Sequence, residues 1–242
     1  MAAEFLIPDW PAPPSVKAMQ TTRHGGVSQA PWASLNLGDH VGDDPRHVIL
    51  NRQHVRAHLP AEPAWLQQVH GTAVLMLPAA TDIRIADAAC TRRPGQVCVV
   101  MTADCLPILL CDRQGTVVAA LHAGWRGLCA GVIESTVAAM AVPGELVLAW
   151  LGPAIGRDAF EVGPEVRQAF MMQDVAAEQA FVPGHDDRWF ADLYTLARQR
   201  LLRLGVSAIH GGEHCTHTEA DCFFSYRRDG QTGRMASLIW IE

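Results

Sequence analysis

Long apolar runs, an excess of basic charge and an export signal are all missing from this chain of 242 residues. No apolar stretch approaches the roughly 20 residues that a bilayer span requires. The opening residues, MAAEFLIPDWPAPP, place an acidic residue and prolines where a signal peptide needs basic and apolar regions. The 19 basic side chains are outnumbered by 25 acidic ones, whereas a nucleic-acid-binding domain is usually basic. We therefore expect a cytoplasmic protein that acts on a small molecule, with no membrane or nucleic-acid partner.

Signs of a disulfide framework, of internal repeats and of linkers are also missing. Seven cysteines is an odd number, and without an export signal it predicts reduced thiols. No repeat, low-complexity tract or long charge run divides the chain. We expect one domain over residues 1–242, with residues 1–20 as a proline-rich lead-in, in a monomer or a homodimer.

Three helices are predicted from caps and apolar spacing. The first begins at Asp44, the second follows the glycines at 124 and 127, and the third begins near Asp192 and stops at Gly205. Each has apolar side chains near one helical face: Val48, Val55 and Leu59 in the first, Cys129, Ile133, Val137 and Met140 in the second, and Leu193, Ala197, Leu201 and Leu204 in the third.

Strands are predicted in the middle of the chain and after the second and third helices. Near-continuous apolar runs, which are typical of strands buried on both faces, occur at VCVVM, PILLC and TVVAAL, with DRQG as a hairpin connection between the last two. LVLAW and VSAIH complete an alternation of strands and helices.

The stretch VAALHAGWRG is the first candidate for a site. Its apolar strand ends at His122 and leads through glycines towards a helix, whose first N–H groups attract anions. Arg126 adds a planar fork suited to phosphate or carboxylate. The alternative is a tight turn with a half-exposed histidine and a surface arginine.

Two more apolar segments end in a side chain that can bind a metal or take part in catalysis, His70 in WLQQVHG and Cys105 in TADCLP. With His122 they make a nitrogen and sulfur set of the kind that zinc accepts, with a fourth place left for water or substrate. Cys105 and His122 can equally be a nucleophile and its base. A lone cysteine between strands is more often a small apolar side chain, and the separations along the chain do not decide among these readings.

Three other segments carry weaker signals. EHCTHT holds a dense local group, His214, Cys215 and His217, without the usual ligand spacing. TTRHGG and FFSYRRDGQTGR combine arginine with glycine or aromatic residues, which suits phosphate contact and base stacking but also suits turns with solvated arginines.

With these segments in order, the chain resembles the YfiH-like laccase-domain family over about residues 21–240. The motifs that carry the resemblance are TTRHGGVS, SLNLGDHVGDDP, WLQQVHG, ADA, TADCLPILLCD, LHAGWRGL, LGPAIG, FEVG and FFSYRRDGQTGRMASLIW. It implies an α+β fold, a single domain of mixed β-sheets flanked by helices in α/β/β/α layers. It also implies a metal site of two histidines and a cysteine, which falls on His70, Cys105 and His122 as both ligands and catalytic residues.

The family is described both as polyphenol oxidase or multicopper laccase and as purine nucleoside phosphorylase with adenosine deaminase and methylthioadenosine phosphorylase activity. A multicopper oxidase needs paired histidines around a trinuclear cluster, and this chain has no H-x-H pair. A single zinc-type site suits water activation for deamination, although the combined H-x-E and P-C-x-x-C signature of cytidine deaminases is not present. We therefore expect phosphorolysis of adenosine, inosine and methylthioadenosine, with deamination of adenosine as a further activity, and zinc as the metal with copper as the alternative.

Phosphorolysis also requires groups that hold phosphate and nucleoside. We assign phosphate to Arg23, Arg126 and the amides of the helix after Gly127, substrate contact to His24, and orientation of a ligand to Asp104. Three other functions stay open: oxidation of phenols at copper, a metal-free Cys/His hydrolase linked to peptidoglycan precursor editing, and a metal-storing or ligand-binding module without turnover.

Overall fold

The computed structural model describes residues 5–80 and 84–242. Its strands are Phe5–Leu6 (β1), Val16–Thr21 (β2), Val74–Leu77 (β3), Ala88–Thr91 (β4), Cys98–Thr102 (β5), Leu106–Asp112 (β6), Val118–Ala123 (β7), Val147–Leu151 (β8), Glu161–Val162 (β9), Phe181–Pro183 (β10), Trp189–Ala191 (β11), Ala208–Gly211 (β12) and Met235–Ile241 (β13). Its α-helices are Pro45–Arg56 (α1), Trp125–Ala130 (α2), Val132–Met140 (α3), Pro164–Met171 (α4), Leu193–Arg203 (α5) and Tyr226–Asp229 (α6). Short 3-10 turns occupy Gly144–Leu146, Arg157–Ala159 and Val175–Ala180.

Two sheets packed face to face form the centre of the fold. The larger sheet has the order β12-β8-β6-β7-β4-β3, and the smaller has the order β1-β2-β13-β5. Pairing is parallel between β12 and β8 and between β3 and β4, and antiparallel elsewhere in these two sheets. A three-stranded sheet, β10-β11-β9, lies outside them.

Alternation along the central strands creates three apolar layers. In β6, Ile108 and Leu110 join the cluster under helices α2 to α5, whereas Leu109 joins the cluster between the sheets. In β5, Val100 faces the same inter-sheet cluster, and Val99 faces the cluster under α1. The mixed α/β fold with helices on both outer faces, in α/β/β/α order, is therefore confirmed.

The predicted helix starts agree with the structure at Asp44 and Asp192. The Asp44 carboxylate accepts a hydrogen bond from the Arg46 N–H at 2.8 Å, and the Asp192 carboxylate accepts one from the Thr195 N–H at 3.0 Å. These bonds satisfy N–H groups that have no partner inside the helix.

The predicted helix after Gly127 is wrong in two respects. It begins earlier, at Trp125 with Gly124 as its N-cap, so Gly127 lies in the first turn of α2 rather than before it. It is also interrupted at Gly131, whose φ of 106° is left-handed and separates α2 from α3. The apolar stripe survives the break, because Cys129, Ile133 and Met140 are all buried in the same cluster.

The predicted lead-in contributes to the smaller sheet. Of its residues 5–20, Phe5–Leu6 form β1 and Val16 begins β2, and the two strands pair antiparallel. Residues 1–4 of the lead-in lie outside the described residues. Among the helices that the structure describes, none is long and apolar enough to cross a bilayer.

Candidate metal and substrate site

Three residues that are far apart in the sequence meet at one edge of the larger sheet. His122 is near the end of β7, Cys105 directly precedes the paired strand β6, and His70 lies in the loop before β3. One potential ligand atom from each lies within 4.8 Å of the other two. Within residues 5–80 and 84–242, no other group of three or more His, Cys, Asp or Glu side chains is compact enough to hold a metal ion.

The buried carboxylate of Asp87 organises the two histidines. Asp87 Oδ1 accepts from the His70 N–H at 2.9 Å and contacts His122 Nδ1 at 2.8 Å, while Oδ2 accepts from the N–H groups of Val69 at 3.2 Å and Gly71 at 2.7 Å. Because Nδ1 of His122 is engaged, Nε2 is the nitrogen available to a metal. Asp87 thus fixes both the ring of His122 and the loop that carries His70.

Gly124 leaves the space in which the three ligands converge. A Cβ atom at this position would lie 2.7 Å from His70 Nδ1 and 2.9 Å from Cys105 Sγ. Both separations are shorter than van der Waals contact, so any larger residue would displace the ligands. The glycine of HAGWRG is therefore required for close approach at the site, rather than for an unusual backbone angle.

The electrostatic setting differs between the two histidines. Burial, followed by the neighbouring His122 ring, lowers the pKa of His70. Burial also lowers the pKa of His122, but the adjacent Cys105 and Asp87 outweigh it and raise that pKa to about 9. Burial raises the pKa of Asp87, but hydrogen bonds from His122 and Gly71 outweigh this effect, so the pKa lies below its usual value. The site thus keeps Asp87 anionic beside the His122 ring.

The residues present fit a zinc or copper ion. Two imidazoles and a thiolate are ligands that both metals accept, and tetrahedral zinc requires such ligand atoms to be separated by roughly 3.3 to 3.6 Å. The three ligand atoms lie within 4.8 Å of one another, which is close to these values. Three protein ligands leave one position of a tetrahedron for another molecule.

A cavity of about 1060 Å³ opens above the three ligands. Its wall includes Asp104, Trp125, Arg126 and Phe160 as well as His70, Cys105 and His122. Arg126 is exposed and lies over the Trp125 ring at 4.4 Å. The structure thus brings the predicted residues Asp104 and Arg126 into the same cavity as the three ligands.

The Asp104 carboxylate is occupied by the protein itself. Oδ1 accepts from the Thr216 hydroxyl at 2.7 Å, and Oδ2 accepts from the Arg227 N–H at 2.6 Å. Asp104 also has a left-handed φ of 84°, which is unfavourable for a residue with a side chain. These bonds hold the turn that presents Cys105, so Asp104 acts on the shape of the site.

Arg23 and His24 do not line this cavity. The Arg23 guanidinium donates to the carbonyls of Ala33 at 3.1 Å and Ala220 at 2.9 Å, and it lies over the Phe224 ring. The His24 ring hydrogen-bonds the carbonyl of Asp221. Both side chains therefore connect the TTRHGG turn to the loop near residue 220, away from the other predicted substrate contacts.

The residues of EHCTHT do not converge on a metal position. His214 Nδ1 contacts Glu219 at 2.9 Å, and Cys215 Sγ accepts from the Gly156 N–H at 3.2 Å. Among the described residues, they form no compact ligand group of the kind that surrounds Cys105.

Two residues of the site were not assigned individually from the sequence, although Asp87 lies in the motif ADA and Arg234 ends the segment FFSYRRDGQTGR. Asp87 is a charged residue within the apolar run IADAAC, which is itself a sign of a buried, bonded carboxylate. Arg234 also lines the cavity, directly before the apolar strand β13. The local signal is the segment FFSYRRDGQTGR, which ends at Arg234 and suits phosphate contact but does not separate Arg234 from Arg227 and Arg228.

Comparison with known proteins agrees with the fold and with the motifs. The family described as multi-copper polyphenol oxidoreductase laccase matches residues 17–242. Proteins named purine nucleoside phosphorylase YfiH from Shigella flexneri and Escherichia coli (strain K12) are each 57% identical over 244 residues, with 99% of each chain covered. The crystal structure of the Neisseria meningitidis protein NMB0706 superposes with a TM-score of 0.96 at 53% identity, covering 99% of this chain and 100% of that one.

Proposed function

The chain belongs to the multi-copper polyphenol oxidoreductase laccase family, and we propose that within this family it is a purine nucleoside phosphorylase with a mononuclear His/Cys/His metal centre. Relatives that are 57% identical along their whole length bear the name of that activity. The observation that carries the proposal is structural: a compact His, Cys, His group and cationic side chains line one cavity.

The cavity suits the substrates in size and composition. A volume of about 1060 Å³ exceeds what a nucleoside alone requires and leaves room for a phosphate beside it. Trp125 and Phe160 offer aromatic surface to a purine, whereas Arg126 offers positive charge to an anion. We propose adenosine, inosine and methylthioadenosine as the nucleosides.

Phosphorolysis exchanges one bond at C1′ of the ribose for another. A phosphate oxygen forms a bond to C1′ while the bond from C1′ to the purine nitrogen breaks, and the purine leaves with the electron pair and is then protonated. Arginine side chains in the cavity hold the phosphate against C1′, which reduces the entropic cost of bringing two separate molecules together in water.

His70, Cys105 and His122 are the residues that would hold zinc, and Asp87 keeps the His122 ring in the required orientation. Zinc bound there would supply a concentrated positive charge and Lewis acidity at the base of the cavity. Asp104 keeps Cys105 in place through its bonds to Thr216 and Arg227. The same centre suits activation of water against C6 of adenine, so we include deamination of adenosine as a second activity.

Oxidation of phenols at copper is the second candidate, because the family description names it. A multicopper oxidase requires several neighbouring metal positions, whereas the described residues contain one group of three ligands. Copper at this single position would give a coloured protein that consumes oxygen in the presence of a phenol. The soft sulfur and nitrogen donors do not discriminate between the two metals.

Chromatography of reaction products tests the proposal. Zinc-loaded protein is incubated with adenosine in the presence and in the absence of phosphate. Adenine and ribose 1-phosphate that form only with phosphate support phosphorolysis, and inosine without phosphate, with inosine or hypoxanthine in its presence, supports deamination. Unchanged adenosine, inosine and methylthioadenosine under all conditions would refute the nucleoside assignment. Oxygen uptake by copper-loaded protein would then support the oxidase instead, and zinc-independent trapping of Cys105 by a thiol reagent would support a Cys/His hydrolase.

A further inference from the structure

The arginines of the cavity differ in how their charges are balanced. Five of them line it: Arg52, Arg84, Arg126, Arg227 and Arg234. Arg52 forms an ion pair with Asp39 at 3.3 Å, and Arg227 donates to the carbonyl of Glu161 at 2.8 Å. Arg84 and Arg126 are exposed to water, which screens their charge. Arg234 is half-buried and forms no ion pair with any residue that the structure describes, so its charge is balanced neither by a carboxylate contact nor by full exposure to water.

Only one of the three nitrogen atoms of the Arg234 guanidinium has protein partners within the part of the chain that the structure describes. Nη1 donates to the carbonyls of Thr232 at 3.1 Å and Gly233 at 3.0 Å. No hydrogen bond engages Nε or Nη2, and no described carboxylate lies within ion-pair distance of the group. Burial lowers the pKa of Arg234, although Cys105 and Asp104 partly offset this effect. The two free N–H donor positions of this half-buried cation suit an anion.

The side chain of Arg234 is held in place before any ligand arrives. The backbone N–H of Arg234 donates to Asn36 Oδ1 at 2.9 Å, and its backbone carbonyl accepts from the Leu37 N–H at 3.1 Å. A Cβ at Gly38 would lie 2.7 Å from Arg234 Cγ, so the stem of the side chain packs directly on this glycine. The guanidinium also lies 5.9 Å from the centre of the Tyr226 ring. A restrained side chain loses less entropy on binding.

We propose that Arg234 is the principal phosphate-binding residue of the cavity, with Nε and Nη2 donating side by side to two phosphate oxygens. The position suits the reaction, because Arg234 shares the cavity wall with His70, Cys105 and His122. The identity of the anion as free phosphate rests on the proposed phosphorolysis. The phosphoryl group of a nucleotide has the same chemistry, and the experiment below separates the two. Exposed Arg126 adds positive potential from the mouth of the cavity and is secondary to Arg234.

Binding of inorganic phosphate to zinc-loaded protein, without nucleoside, is measured by isothermal titration calorimetry. Arg234→Gln should weaken binding by about 10- to 100-fold, since it removes a two-bond charged contact. Arg234→Lys keeps the charge but not the fork and should fall between Arg234→Gln and wild type. Arg113→Gln is the matched control, because it removes the same charge from an exposed position at the far end of β6. Equal affinity of Arg234→Gln and Arg113→Gln would overturn the proposal.

Gly38→Ala gives an independent test that removes no charge. The added methyl group would displace the stem of Arg234, and phosphate affinity should fall while thermal unfolding shows a folded protein. Unchanged affinity in a folded Gly38→Ala protein would contradict the positioning described above. Adenosine 5′-monophosphate in place of phosphate distinguishes the sources of the anion: binding of the nucleotide through Arg234, without binding of free phosphate, would overturn the assignment.

Kinetics separate this inference from the proposed function. If phosphorolysis occurs, Arg234→Gln should raise the KM for phosphate by the same factor as the dissociation constant and change the KM for nucleoside by less than about twofold. Arg234-dependent phosphate binding without any cleavage of nucleosides would retain the anion site and refute the phosphorylase. If Arg234→Gln cleaves nucleosides with the wild-type KM for phosphate, the phosphorylase is retained and the role of Arg234 is refuted.

Discussion

Replacement of Asp87 with asparagine tests how a buried carboxylate organises the metal ligands. The carboxylate accepts four hydrogen bonds, two on each oxygen, from the N–H groups of Val69, His70 and Gly71 and from His122. Asparagine keeps one oxygen and turns an amino group towards the other pair of donors. Two bonds are therefore lost at a side chain that is itself completely buried, at roughly 1–3 kcal/mol for each group left unpaired. We expect the metal-free protein to lose about 2–6 kcal/mol of unfolding free energy.

The same substitution should weaken zinc binding by about 10- to 100-fold, because the His122 ring and the His70 loop lose their common anchor. Competition with a chromophoric chelator measures this affinity, and urea denaturation measures the unfolding free energy. Asp112→Asn is the matched control. Asp112 is also a buried carboxylate, and it accepts from the Thr116 N–H at 2.6 Å and hydroxyl at 2.8 Å at the opposite end of β6. The control should lose stability but keep its zinc affinity. Zinc affinity in Asp87→Asn within twofold of the control would refute the role given to Asp87.

Three further predictions concern space, thiol reactivity and helix capping. Gly124→Ala places a methyl group 2.9 Å from Cys105 Sγ, so we expect loss of stoichiometric zinc binding with a cooperative thermal transition retained, and normal binding would contradict the crowding. Burial raises the pKa of the Cys111 thiol to about 12, so this residue should resist alkylation at pH 8 until the protein unfolds. Half-buried Cys105 should react in chelator-treated protein and be protected by zinc. Peptide mass spectrometry measures alkylation at both residues. Asp192→Ala removes the cap of α5 and should cost about 1 kcal/mol in urea denaturation, and an unchanged midpoint would be inconsistent with the cap.

Local patterns predicted five strands and three helices of the fold but left other elements, such as β2 and β13, unpredicted. The apolar runs PILLC and TVVAAL correspond to β6 and β7, which pair antiparallel as a hairpin connected at DRQG, as predicted. The stripe from Cys129 to Met140 correctly identified a buried helical face but not the break within it. That break depends on Gly131, whose left-handed φ allows two helices to share one apolar stripe, and a periodic pattern cannot reveal it.

The sequence predicted only part of the site, because no local pattern shows which residues far apart in the chain lie close together in the fold. His70, Cys105 and His122 each stood out at the end of an apolar segment, but their assignment as one ligand set came from resemblance and is matched by their approach in the fold. Arg23 looked as suitable as Arg126 for phosphate contact, yet it does not line the cavity, and its Nε and Nη1 donate to backbone carbonyls. Arg234 ends a segment that suits phosphate contact, but the sequence did not separate it from Arg227 and Arg228, since the free donors of a guanidinium depend on which groups surround it in the folded chain.

Ribose 1-phosphate formation as zinc is titrated into metal-free protein tests the central claim most directly. With saturating inosine and phosphate, the rate should rise linearly and reach its plateau at one zinc per chain. Cys105→Ala, which removes one ligand of the three, should remain near zero over the same range. A wild-type rate in Cys105→Ala, or no ribose 1-phosphate from the zinc-loaded wild-type protein, would contradict phosphorolysis at the His70, Cys105 and His122 centre.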